Sequence, residues 1–148
     1  IVRFFNIFGP GQMPMYIVPQ VLSQIKENHH IEIRNGTVMR DLLFVEDCID
    51  AVLKLAVTDA AQDNVFNIGS GHIVSITDVA KAAIEASGLQ GVEITDLEEK
   101  IAYSPTAIMA DIDKVQATID WFPKTTLKDG LKKMWDAMEN TNGTRIIG

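Results

Sequence analysis

The chain's chemistry concentrates in one stretch, Arg40-Asp41-Leu42-Leu43-Phe44-Val45-Glu46-Asp47, which sets one fixed cation and three acids around an otherwise apolar strand. An arginine at the mouth of a strand, with a helix opening on acids beyond it, presents a planar and always-charged fork of the kind that grips a diphosphate. The alternative at this spacing is an ordinary ion pair between Arg40 and Asp41. Other reactive types offer less. Cys48 is the only cysteine, so it forms no internal disulfide, and with no histidine near it in sequence it reads as a buried spectator rather than a nucleophile. His29 and His30 are adjacent and lack the four-residue offset of a helical metal pair, so both read as loop residues. Tyr16 and Tyr103 are followed four positions on by Gln20 and Ala107.

These residues need a frame. Residues 1–5 are β-branched and aromatic and run toward the turn formers Gly9-Pro10-Gly11, as a buried strand would. Ile17, Val18, Val21, Leu22 and Ile25 recur at helical spacing over 16–27, with Pro19 tolerated in the first turn. Ile31 and Ile33 alternate with Glu32 and Arg34 as in a half-exposed strand, and Asn35-Gly36 predicts a hairpin into a second strand over 38–45. Asp47 is placed to cap a helix over 48–58 whose buried face would be Ile49, Val52, Leu53 and Ala56. A short core strand over 64–68 enters Gly69-Ser70-Gly71. Ser75 to Asp78 and Thr126 to Asp129 are capping boxes, for helices ending at Gly88 and spanning about 127–139. Residues 92–95 read as a weak strand, Asp111 opens a short helix that stops before Pro123, and 140–148 reads as a frayed polar tail. The sum is one α/β domain of mixed small sheets and about five helices.

Bulk properties bound the function. With 148 residues, 47% of them apolar and 22% charged, the chain can bury a core. The 20 acids against 13 bases give a net charge of -7, and the arginines at 3, 34, 40 and 145 form no basic stripe, which argues against a nucleic-acid partner. No apolar run approaches the ~20 residues of a membrane span. A cytoplasmic setting is the expectation.

Five blocks stand in order along the chain: Arg3-Phe4-Phe5-Asn6-Ile7-Phe8-Gly9-Pro10-Gly11-Gln12, then Arg40 to Asp47, then Val65-Phe66-Asn67-Ile68-Gly69-Ser70-Gly71, then Ala110-Asp111-Ile112-Asp113-Lys114, then Trp121-Phe122-Pro123. Together they resemble the C-terminal half of the extended short-chain dehydrogenase/reductases, the NAD-dependent sugar-nucleotide epimerases and dehydratases. The resemblance implies the C-terminal portion of a Rossmann-type enzyme that binds a nucleoside-diphosphate sugar. It assigns Arg40 to the diphosphate, Asn6 to a hydrogen bond nearby, Gln12, Tyr16 and Ile17 to the loop and helix over the sugar, and Ile31 and Ile33 to the nucleobase. Phe4, Phe5 and Ile7 would wall the nicotinamide end of the cofactor site, with core packing as the alternative for the aromatics. The family's Tyr-x-x-x-Lys pair and its glycine-rich NAD loop lie upstream of the Arg3 block and are absent here. Gly9-Pro10-Gly11 and Gly69-Ser70-Gly71 lack the third glycine and the later acid of a pyrophosphate fingerprint.

The expectation is therefore a substrate-binding half that works with an N-terminal nucleotide-binding half, with NAD held by the complete enzyme, and that forms a homo-oligomer through the apolar surface left uncovered. A free-standing, non-catalytic nucleotide-sugar binding or interaction domain is the alternative. Where the family commonly carries an arginine before its Ala-Asp block, this chain offers Lys100, a point charge without the bidentate fork.

Overall fold

The computed structural model describes residues 1–97 and 107–141. Its elements alternate between strand and helix. β1 (Val2–Phe4) and β2 (Asn6–Phe8) are two halves of one extended segment. The first half pairs parallel with β6 (Phe66–Ile68) and the second parallel with β5 (Leu42–Phe44), with the Phe5 N–H donating to the Ile68 carbonyl at 3.0 Å between them. Parallel neighbours require crossovers. α1 (Ile17–Asn28) lies on the path from β2 to β5, and α2 (Val45–Ala56) joins β5 to β6. β3 (His30–Arg34) pairs parallel with β8 (Glu93–Leu97). β4 (Met39–Arg40) sits between β7 (Val74–Ser75), antiparallel, and β9 (Ala107–Ile108), parallel. α3 (Ile76–Ser87), α4 (Asp113–Ile119) and α5 (Leu127–Thr141) complete the five α-helices of the described residues.

Two apolar cores hold these elements. One joins the inward faces of α1, β3, α3 and α5 to Phe8 and Phe44, whose rings meet edge to face at 5.4 Å. The other gathers Leu43, Cys48, Ala51, Leu55, Phe66, Ile68, Val115 and the fully buried Trp121 around α2 and α4. Both capping boxes form as their spacing predicts. The Ser75 Oγ accepts the Asp78 N–H at 3.0 Å, and the Thr126 Oγ1 accepts the Asp129 N–H at 3.1 Å. α3 stops at Gly88, which takes the left-handed conformation (φ 72) that side chains resist.

Several expectations are corrected. Asn35-Gly36 does turn, with the Val38 N–H on the Asn35 carbonyl at 2.9 Å, but no hairpin follows. The Gly36 N–H goes to the Asp96 carboxylate at 3.0 Å and its carbonyl receives the Thr77 N–H at 3.0 Å, so the turn docks against β8 and α3 and β4 finds partners other than β3. The single strand over 38–45 breaks into β4 and β5 around Asp41, and Val45 already belongs to α2. Asp47 does not cap α2, whose N-cap is Phe44. Its carboxylate instead accepts the Thr125 N–H at 2.8 Å, while its carbonyl accepts the Trp121 indole N–H at 3.2 Å. The buried face of α2 is Cys48, Ala51 and Leu55, so Ile49 and Leu53 are 52% and 63% exposed. β1 is likewise more open than a buried strand, with Phe4 55% exposed. α4 begins at Asp113, with the Asp111 carboxylate accepting its N–H, and α5 extends to Thr141, leaving only residues 142–148 of the expected frayed tail outside the described residues.

Candidate functional site

The geometry of the site starts at Asp41, which is completely buried. Its carboxylate accepts three backbone N–H groups, from Ser70 at 2.6 Å, Gly71 at 3.0 Å and Ala110 at 3.0 Å. Three charge-assisted bonds satisfy a carboxylate that would otherwise be costly to desolvate. Gly69 permits the approach: a Cβ there would stand 2.4 Å from the Ala110 Cβ and 2.9 Å from the Asp41 carboxylate. The Asp41 backbone is engaged as well, its N–H on the Ile108 carbonyl at 3.2 Å and its carbonyl receiving the Asn6 side-chain amide at 3.0 Å. Three of the sequence blocks, far apart along the chain, are thus tied to one carboxylate.

Successive side chains of an extended segment point to opposite faces, so fixing Asp41 inward turns Arg40 outward. Arg40 lines a cavity of about 260 Å³ together with Asn6, Ile7, Gln12, Tyr16, Ile17, Val18, Arg34, Val38, Leu42 and Ile76. Its guanidinium Nη1 donates to the Met39 carbonyl at 2.8 Å. Asn6, Gln12, Tyr16, Ile17 and Arg40 therefore line one cavity, although they span the loop, α1, β2 and β4. Arg34 shares the wall and was missed by sequence reasoning. Its outward position in the alternation of β3 was the available signal. A second depression, lined by Ile17, Gln20, Gln24, Glu32 and Arg34 among others, adjoins the same strand.

Other expected site residues fall differently. Ile31 and Ile33 are 0% and 1% exposed, with their side chains in the first core, and the Glu32 backbone is held by the Gln24 side chain, so what β3 can present to a ligand is the outward side chains of Glu32 and Arg34. Phe5 and Ile7 are partly buried against the second core, Ile7 also reaching the cavity, whereas Phe4 lies open at the surface. Lys100 lies outside the described residues, as does Tyr103.

The acids of the Arg40 to Asp47 stretch all serve the fold. Asp41 holds three amides, Asp47 ties the 121–125 segment, and Glu46 pairs with Lys133. Lys114, in the Ala110 block, bonds the Asn64 side chain at 2.9 Å and lies 4.9 Å above the Phe66 ring. Burial pushes the Cys48 thiol above its ordinary pKa, against any thiolate role. Among the described residues no cluster of histidine, cysteine or acid side chains could hold a metal, and no helix is long and apolar enough to cross a membrane.

In the two glycine loops several amides are already committed. The Ser70 and Gly71 amides already serve Asp41, Pro10 has no N–H, and the Gln12 N–H closes the turn on the Gly9 carbonyl at 3.2 Å.

A profile of the NAD dependent epimerase/dehydratase family matches residues 1–69. The chain is 28% identical over 132 residues to the uncharacterized UDP-glucose epimerase YtcB of Bacillus subtilis, covering 88% of this chain and 41% of that protein. It is 27% identical over 140 residues to dTDP-D-glucose 4,6-dehydratase of Homo sapiens, covering 90% of this chain and 39% of that one. Among solved structures, UDP-glucuronic acid 4-epimerase from Bacillus cereus, in complex with UDP-glucuronic acid and NAD, superposes with a TM-score of 0.82 at 26% identity, covering 95% of this chain and 45% of the other. The chain spans less than half the length of each of these relatives.

Proposed function

Because the chain belongs to the NAD-dependent epimerase/dehydratase family of extended short-chain dehydrogenase/reductases, we propose that it is the nucleoside-diphosphate-sugar-binding portion of such an enzyme, of the 4-epimerase or 4,6-dehydratase type. The observation that carries this reading is the single cavity in which Arg40, Asn6, Gln12, Tyr16 and Ile17 converge. In it the Arg40 guanidinium offers parallel N–H groups to the diphosphate, and a planar fork matches phosphate oxygens better than a point charge does. Asn6, anchored through its amide to the Asp41 carbonyl, stands beside it as a neutral polar group. Tyr16 and Ile17, at the start of α1, form the wall over the sugar.

The two glycine loops do not suit the pyrophosphate of NAD, so this reading leaves the cofactor, and with it the hydride chemistry that NAD supplies, to a nucleotide-binding portion of the complete enzyme. The outer face of α2, with Ile49, Leu53 and the 84%-exposed Val57 four residues apart, is the surface on which the chain would meet that portion. Alone, the chain would cover it with a second copy. We place the complete enzyme in the cytoplasm.

Calorimetric titration with UDP-glucose, dTDP-glucose and GDP-mannose tests the reading. At least one is expected to bind, and Arg40→Ala to weaken that binding by about 1–3 kcal/mol as a charge-assisted contact is lost. Absence of binding by all three, or equal affinity of the variant, overturns it.

A further inference from the structure

We infer that Gln12 selects the sugar, its Oε1 acting as the acceptor for a hydroxyl of the bound ligand; the inference rests on the nucleotide-sugar reading above. The Gln12 side chain is held from one end. Its Nε2 donates to the Ile7 carbonyl at 2.9 Å, while its backbone closes the 9–12 turn. Rotating the amide would set oxygen against the Ile7 carbonyl oxygen, so this bond fixes which atom is Oε1. That Oε1 is shielded from solvent and receives no hydrogen bond among the described residues.

An acceptor buried without a donor is costly, and proteins satisfy nearly all such atoms. Gln12 lines the same cavity as Arg40 and Asn6, at the wall assigned to the sugar. Asn6 gives one of its two amide N–H groups to the Asp41 carbonyl, and Oε1 receives no bond from the other. A ligand that brings a hydroxyl to this wall satisfies the atom, and one that lacks the hydroxyl leaves it as it was. Sites built around such a bond reject the analogue without it far more strongly than apolar pockets reject a missing methylene. The ligand class this describes is a nucleoside-diphosphate hexose with a free hydroxyl facing the 9–12 loop, in preference to its deoxy counterpart.

The test measures affinities of the chain for UDP, UDP-glucose and the UDP-glucose analogues deoxygenated at each sugar position in turn. One deoxy analogue is expected to bind about tenfold more weakly than UDP-glucose. Gln12→Met is expected to abolish that difference, with UDP, which carries no hexose, reporting that the cavity is still formed. A flat profile across the analogues in the unaltered chain overturns the inference even if the variant fails to fold, and so does discrimination that survives in Gln12→Met. Loss of all binding to the unaltered chain, UDP included, overturns the nucleotide-sugar reading itself, whereas UDP binding with a flat sugar profile overturns only the role of Gln12.

Discussion

Arg40 and Asp41 are neighbours that face opposite ways, and the division of labour between cavity and interior follows from that. The arginine was legible as a phosphate-binding candidate because its type and its place beside a strand carry the chemistry locally. The partner of Asp41 was not. The alternative for the pair was a local ion bond, yet the amides that Asp41 holds lie 29, 30 and 69 residues further along the chain, and no local pattern announces contacts at that range. Replacing Asp41 with Asn exchanges an acceptor oxygen for a donor facing an N–H group and removes the charge from all three bonds. We expect Asp41→Asn to lower stability by about 3 kcal/mol or more, read as a fall in the urea midpoint at unchanged slope. A midpoint within experimental error of the unaltered chain would refute Asp41 as the tie between the three blocks.

Elements were most legible where a side chain writes its own hydrogen bond into the sequence. Ser75 with Asp78 and Thr126 with Asp129 mark the starts of α3 and α5, and the structure forms both caps. Ser75→Ala should cost about 1 kcal/mol, the usual worth of an N-cap, measured by chemical denaturation, and a neutral result would remove the cap from the account of why α3 starts where it does. Elements misread were those decided by distant neighbours. α2 is apolar on more than one side, so helical spacing alone could not tell the Cys48, Ala51 and Leu55 face from the Ile49, Leu53 and Val57 face. The pairing of β4 was similarly open, because Gly36 is captured by Asp96 and Thr77 rather than by β3. Alternation identified both the strand and its apolar face at Ile31 and Ile33, but that α1 and α3 supply the core they enter was not local information.

At the scale of the whole molecule, fold class and family were legible because five ordered blocks each keep a structural bond, so their order records the fold. What the sequence left open was which apolar surface stays uncovered. The outer stripe of α2 is expected to drive self-association of the isolated chain, since exposed apolar faces are commonly covered by a twofold contact. Sedimentation equilibrium should therefore show a dimer or larger species that Leu53→Glu converts to monomer; a unaltered chain that is monomeric at every accessible concentration excludes this role for the stripe. The central claim is that a nucleotide sugar enters the cavity between β2, α1 and β4. Mapping backbone amide shifts of the isotope-labelled chain during titration with UDP-glucose tests it most directly. The account predicts shifts concentrated at Asn6, Ile7, Gln12, Tyr16 to Val18, Arg34, Val38 and Arg40. Shifts concentrated instead around the larger apolar cavity lined by Ser70, His72, Phe122 and Thr126, or no shifts at saturating ligand, would contradict it.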